Sequence, residues 1–334
     1  MLAFALLAAC RIEWGPPAAV APTDDAAGPQ GEVWVYTSMY PHVIEQLDAL
    51  VRADLPGVAP KFFQGGSEKV AQRVEAEWAA GGSPACLLLT SDPAWYVDLA
   101  DRGLLSPHLA PNVLQVDRGV VDPEGRWVAS RLSMMVIAVD PQRVAPADRP
   151  TSWADLARVA DRASMPDPLA SGTAFTTLAL WAQAPGWEAV AAMRRGGLVA
   201  AGGGSAVVGR IESGERPIGV VLLENALQSK RKGASIEVVY PDDGAIVIPG
   251  PIALTAGCPN RAAAKAVYDL VLSPAGQRLL VGGDLYSVLD ELPPPDGAPR
   301  LADVPTRPWA PGQLQGLAQG RADLKDRWAA LASE

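Results

Sequence analysis

The chain has 334 residues, 49% of them hydrophobic and 19% charged, with a formal net charge of -9 and a pI near 4.9. That acidic balance excludes recruitment of nucleic acid or of an anionic membrane surface by bulk charge, so an anionic ligand has to be held by local dipoles. The length exceeds what one core fills comfortably, roughly 250–300 residues, and two lobes are expected.

Residues 1–9, MLAFALLAA, are wholly apolar and stop at Cys10. They fall well short of the ~20 residues a spanning helix needs. Leu7, Ala8 and Ala9 before Cys10 resemble a bacterial lipobox, which implies diacylation of Cys10 and anchoring outside the cytoplasm. On this reading residues 1–10 are a lipoprotein signal segment, and the Pro-, Ala-, Gly- and Asp-rich residues 11–30 are a flexible tether. The other cysteines, Cys86 in an apolar run and Cys258 beside a turn, are expected as two small buried thiols rather than a bridge.

Folding is expected to begin at Gly31. EVWVYTS (32–38) reads as a strand, followed by a helix with Pro41 in its first turn, Val43, Ile44, Leu47, Leu50, Val51 and Leu55 at helical spacing, and Pro56-Gly57 at its end. KFF (61–63) is a short strand, and Ser67 caps a helix carrying Val70, Val74 and Trp78. CLLLT (86–90) has the continuous apolar character of a strand buried on both faces, and SDPAWYVDLADRGLL starts another helix. MMVIAVD (134–140) is a long strand leading out of this lobe, and PTSWADLA (150–157) opens a helix of the next. The second lobe then takes ASGTAFTTLALWAQA, GGGSAVVGRIESGE (202–215) and the strands IGVVLLE (218–224) and SIEVVY (235–240). IVIPGPIALTAG (246–257) returns as a strand, AAAKAVYDLVLSPAGQRLLV (262–281) forms a helical hairpin, and a proline-rich tail (293–312) wraps the surface before a last helix near 316–332. The expected division is 31–133 with 251–290 as lobe 1, 134–250 as lobe 2, and 291–334 as a C-terminal wrap and helix.

VYTS at the end of the first strand, TSDPAWYVDLADRGLLSP, the SGTAF helix start, SAVVGRIESGE and GPIALTAGCPNRAAAKAVYDLVLSPAGQ together resemble the type 2 periplasmic solute-binding proteins of ABC importers. The resemblance covers roughly residues 31–290 and points to the subgroup of ferric-iron, phosphonate and sugar-phosphate receptors. It implies two doubly wound α/β lobes joined by two hinge strands, near 131–137 and 246–253, that close on a ligand in the cleft between them. It also implies a small-molecule solute and ABC permease subunits as partners, a monomer, no cofactor and no catalysis.

Ligands of open α/β sheets collect at the carboxyl ends of strands, where helix N-termini present free N–H groups and glycine admits close approach. Thr37 and Ser38, Ser91 and Asp92, Ser171, Gly172 and Thr173, and Gly204 and Ser205 occupy such places, so four helix openings could cradle an anion without lysine or arginine. Each hydroxyl could equally be an ordinary helix cap. The iron receptors carry a His after the first strand, an acid after the third and a Tyr-Tyr pair. The matching positions here are Tyr40, Asp92, and Glu224 with Asn225, so only the acid survives. A zwitterion, with its anionic head in the cradle and its amine on Glu224 or Asp92, suits these residues; an oxygen-rich cation site of Tyr40, Asp92 and Glu224 is the alternative. Asp92 also reads as a helix cap and Glu224 as a solvated strand end.

An enzyme finds little support, with no P-loop, GxSxG or HExxH, two histidines (His42 and His108) that stand alone in the sequence, and Asp242-Asp243-Gly244 reading as a turn. A ligand-binding sensor is the remaining class.

Overall fold

The computed structural model describes residues 28–113, 120–310 and 312–331. The apolar leader, Cys10 and nearly all of the expected tether lie outside the described residues.

The first lobe opens with β1 (Gly31–Thr37), α1 (Pro41–Asp54), β2 (Val58–Gln64), α2 (Ser67–Ala79), β3 (Ala85–Leu89), α3 (Pro93–Asp101) and the short β4 (Leu105–Ser106). α1 buries Val43, Leu47 and Val51, a single stripe four residues apart. β3 is buried along its whole length because helices cover both faces of a sheet in which β1, β2 and β3 run parallel. β5 (Trp127–Val139) leads across to β6 (Ala163–Met165), α4 (Gly172–Trp181), α5 (Trp187–Arg195), β7 (Val199–Ala200), α6 (Gly204–Ser213), β8 (Ile218–Leu222), α7 (Leu223–Arg231) and β9 (Glu237–Val239). β10 (Ile246–Thr255) returns to the first lobe, where α8 (Arg261–Leu272) and α9 (Pro274–Gly282) pack, and α10 (Gln313–Gln319) and α11 (Arg321–Leu331) end the described chain.

The sheet order is β2-β1-β3-β10-β5-β8-β6-β7, with β4 on β10 and β9 on β5. Among the described residues, β5 and β10 together link the two parallel groups. One end of β10 pairs with β3, the body of β10 pairs antiparallel with β5, and the far end of β5 pairs with β8. These are the two connecting strands expected near 131–137 and 246–253, and the fold is two α/β lobes joined through them. Each lobe has its own core, one around Val35, Leu89, Val267 and Tyr268, the other around Met135, Trp153, Trp181 and Ile218.

Several local expectations change. Cys86 and Cys258 form a disulfide across 172 residues of sequence. The cause is register: β10 pairs with β3, Leu254 opposite Leu87, and this carries the turn after β10 to the start of β3. Pairing partners so distant leave no mark in a local pattern. The strand expected over 218–224 ends at Leu222, and Glu224 falls in the first turn of α7. Gly66 rather than Ser67 caps α2. The segment 150–157 gives only a 3-10 stretch over Ala154–Arg162, kinked at Val159. The single last helix is two, broken at Gly320. His108 does not stand alone, since its Nε2 lies 2.7 Å from Asp269 Oδ1. Asp242-Asp243-Gly244 does form the expected turn, in which Asp243 accepts from the Trp153 N–H at 3.0 Å and pairs with Arg307 at 3.0 Å.

Candidate functional site

Two sets of the singled-out residues meet where the lobes face each other. The first is built from three helix starts. Ser171 caps α4, accepting from the Ala174 N–H at 3.3 Å with its hydroxyl 3.1 Å from that of Thr173. Asp92 caps α3 through the Trp95 N–H at 3.3 Å. Ser67, at the start of α2, accepts from the Ser91 N–H at 3.2 Å. These starts touch across the cleft: a methyl group on Gly172 would lie 2.7 Å from Asp92 Cβ, 2.9 Å from Ser67 Cβ and 3.0 Å from the Ser91 carbonyl oxygen. The N-terminus of a second-lobe helix therefore rests against two strand-to-helix turns of the first lobe.

The second set gathers at α7. Glu224, 2% exposed, accepts from the Ser133 hydroxyl at 3.0 Å. Burial pushes its carboxyl up to about 7, against the pull of its own backbone N–H, the Ser133 hydroxyl and Arg131. A solvated strand end is thus excluded for Glu224. Tyr40, at the start of α1, is held well above the usual tyrosine range by burial and then by the Glu224 charge, with the Asn225 side chain acting in opposition. Asn225 packs against the start of α6, where a methyl on Gly204 would meet its Oδ1 at 2.2 Å, and that oxygen is buried with no hydrogen-bond partner.

Arg131 joins the two sets. It is 2% exposed on β5, its NH2 group donates to the Ser91 hydroxyl at 2.9 Å and the Thr90 carbonyl at 3.3 Å, and its NH1 to the Ser130 hydroxyl at 3.3 Å. Its guanidinium lies over Gly250 of β10, where a methyl would sit 2.8 Å from Arg131 Cζ. Among the described residues no carboxylate lies within ion-pair distance of it. Burial disfavours its charge and lowers its pKa, while Tyr96, Glu224 and Tyr40 act the other way. A charge buried without a counter-ion costs several kcal/mol, a cost that an anion beside the guanidinium would offset. The cradle is therefore not free of arginine, as the sequence suggested. The available signal was Arg131 and Ser133, two apart on one face of a strand that is apolar apart from them and Ser130.

The remaining candidates are placed differently. The Thr37 hydroxyl donates to the Leu89 carbonyl at 3.0 Å and accepts from the Met39 N–H at 3.1 Å, which makes it a buried turn-former between β1 and α1. Ser38 is half-buried beside it, and Ser205 is exposed on α6. Asp92 is 1% exposed and takes Arg321 of α11 at 2.7 Å, so it is committed to a protein cation and is not grouped with Tyr40 and Glu224. Trp95 and Tyr96 are core residues.

Comparison with known proteins gives a consistent result. Residues 87–309 match the model of the family described as bacterial extracellular solute-binding protein. An uncharacterized protein of Haemophilus influenzae is 27% identical over 235 residues, covering 66% of this chain and 67% of that one. Iron-bound HitA from Pseudomonas aeruginosa superposes with a TM-score of 0.79 at 18% identity, covering 89% of this chain and 98% of its own. AfuA from Actinobacillus pleuropneumoniae, with fructose-6-phosphate bound, gives 0.79 at 21% identity over 90% of this chain and 98% of its own.

Proposed function

Because the chain belongs to the bacterial extracellular solute-binding protein family, we propose that it is the receptor of an ABC importer for a small anionic or zwitterionic solute of the phosphate-ester or phosphonate class. The observation that carries the solute class is Arg131, a buried guanidinium without a carboxylate partner, reaching Ser91 where the lobes touch. The N-termini of α4 and α3 add partial positive charge beside it. Ser171, Gly172 and Thr173 supply hydroxyls and a backbone without a Cβ. Glu224 and the unpartnered Asn225 Oδ1 are acceptors that suit an ammonium or hydroxyl on the same solute. Residues 31–133 with 251–290, and 134–250, are the bodies that would close on it by bending β5 and β10. The closed form would then be read by a permease.

The test is a thermal-shift screen of the chain from Gly31 onward against sugar phosphates, phosphoglycerates, aminoalkylphosphonates, ferric citrate, thiamine and polyamines. A true solute at 100 times its dissociation constant adds about 2.7 kcal/mol of stability. Hits confined to phosphorylated or phosphonate compounds support the reading, and silence from all of them removes it. The second reading, ferric iron or another hard cation, is favoured by one observation, the proximity of Tyr40 and Glu224. It lacks Asp92, and a hit with ferric citrate alone would establish it.

The same reading places the protein outside the cytoplasm, tethered through a diacylated Cys10. The Cys86–Cys258 bridge supports an oxidising compartment. Labelled fatty acid incorporated by the natural protein and lost in Cys10→Ser is the expected result.

A further inference from the structure

The two C-terminal helices lean on different lobes, α10 mainly on the first and α11 on the second, although α10 also reaches the second lobe through Leu317 on Ala179 and through Gln313 Nε2, which donates to Gln183 at 2.7 Å. α10 lies on α3: Leu314 and Ala318 pack on the core of Trp95 and Leu99, and Gln315 Nε2 donates to Asp101 at 2.6 Å. α11 lies on the second lobe: Trp328 and Leu331 join the core of Trp181 and Val190, and the Arg327 guanidinium sits 4.2 Å above the Trp187 ring. Gly320 separates the two helices. The first residue after this joint, Arg321, reaches back from α11 to the first lobe, donating to Asp92 at 3.0 and 2.7 Å and to Glu68 at 2.6 Å. One turn on, Lys325 donates to Glu68 at 2.5 Å. Both cations also lie over the Phe175 ring of α4, at 5.5 and 5.3 Å. Glu68 and Asp92 are 5% and 1% exposed and the two cations are half-buried, so the four groups form a balanced set whose members belong to different lobes.

We propose that Arg321 is a positioning residue for solute capture: as a clasp it holds the Ser91–Asp92 turn of the first lobe against the N-terminus of α4, and so sets the balance between closed and open forms. Opening would carry α11 away with the second lobe and α10 with the first, flexing at Gly320 and parting Arg321 and Lys325 from Asp92 and Glu68. The clasp lies beside the cleft and tunes how tightly the lobes close without itself selecting the solute. The inference rests on the receptor reading, since opening has a purpose only if a solute enters between the lobes.

Small-angle X-ray scattering of the ligand-free protein from Gly31 onward tests it without any solute. Arg321→Gln is expected to shift the population toward an expanded form by at least roughly tenfold, as for a truncated buried charge pair. Arg321→Lys, which keeps the charge, restores most of the compact form, and Lys325→Gln gives a smaller expansion. A group that is only structural would lower the melting temperature and leave the scattering of the folded protein unchanged. That outcome in Arg321→Gln overturns the proposal; if that variant does not fold, unchanged scattering in both Arg321→Lys and Lys325→Gln overturns it. A silent solute screen would remove the receptor reading while leaving the scattering result standing.

Discussion

Asp92 and Glu224 stand in equivalent places, one at the turn from β3 to α3 and the other at the turn from β8 to α7, and they are 1% and 2% exposed. Asp92 is matched by Arg321 at 2.7 Å. Glu224 has a hydroxyl at 3.0 Å, a guanidinium farther off, and a carboxyl pushed up to about 7 by burial. Equivalent local geometry therefore yields one carboxylate that is paired with a protein cation and one that is left with capacity to take a donor from elsewhere. The partner, more than 200 residues away in one case and absent in the other, decides which is structural and which is available.

The same change, acid to amide, should consequently act in opposite directions. Asp92→Asn removes one side of a buried ion pair and leaves Arg321 with Glu68 alone, a loss of about 3 kcal/mol by urea unfolding at neutral pH. Glu224→Gln removes a group whose folded pKa is raised. Such a group contributes its full stability below its unfolded value of 4.5 and loses it as pH rises through about 7. The natural protein should thus weaken across that window, and Glu224→Gln should flatten the profile and be more stable at pH 8 by on the order of 3 kcal/mol. A profile that is unchanged by the substitution would mean that Glu224 is already paired. Arg131→Met sharpens the contrast from the other charge: it relieves a cation buried with no counter-ion but gives up the hydrogen bonds to Ser130, Thr90 and Ser91, so stability should change less than binding, which for a phosphorylated solute falls by about 2 kcal/mol or more in calorimetry.

Much of the fold was legible because apolar periodicity and turn residues are local. β1, α1 and β3 follow from Val33, Val35, Val43, Leu47 and the run CLLLT. The helix starts at Asp92 and Ser171 were equally readable, since a cap acts on an N–H three residues on. What stayed hidden depends on register and long-range pairing: the bridge between Cys86 and Cys258, the reach of Arg321 to Asp92, and the placement of Arg131 over Gly250. Glu224 was misplaced for a different reason. The apolar run through Leu222 and Leu223 continues without a break from strand into helix, so the boundary carries no polar signal.

The smallest expected effect on stability falls at Gly172. Its helical position favours alanine over glycine by up to about 1 kcal/mol, so Gly172→Ala should stabilise α4 wherever the added methyl has room. With the lobes in contact as they are here it has none, because the methyl would sit 2.7 Å from Asp92 Cβ and 2.9 Å from Ser67 Cβ. Those partners are backbone-proximal carbons on helix starts and do not swing aside as a long side-chain tip would. The variant should therefore melt within about 1 kcal/mol of the natural protein, scatter as a more expanded molecule and bind solute more weakly. Undiminished binding with unchanged scattering would mean that the first-lobe turns yield to the methyl, and that the contact across the cleft does not limit closure.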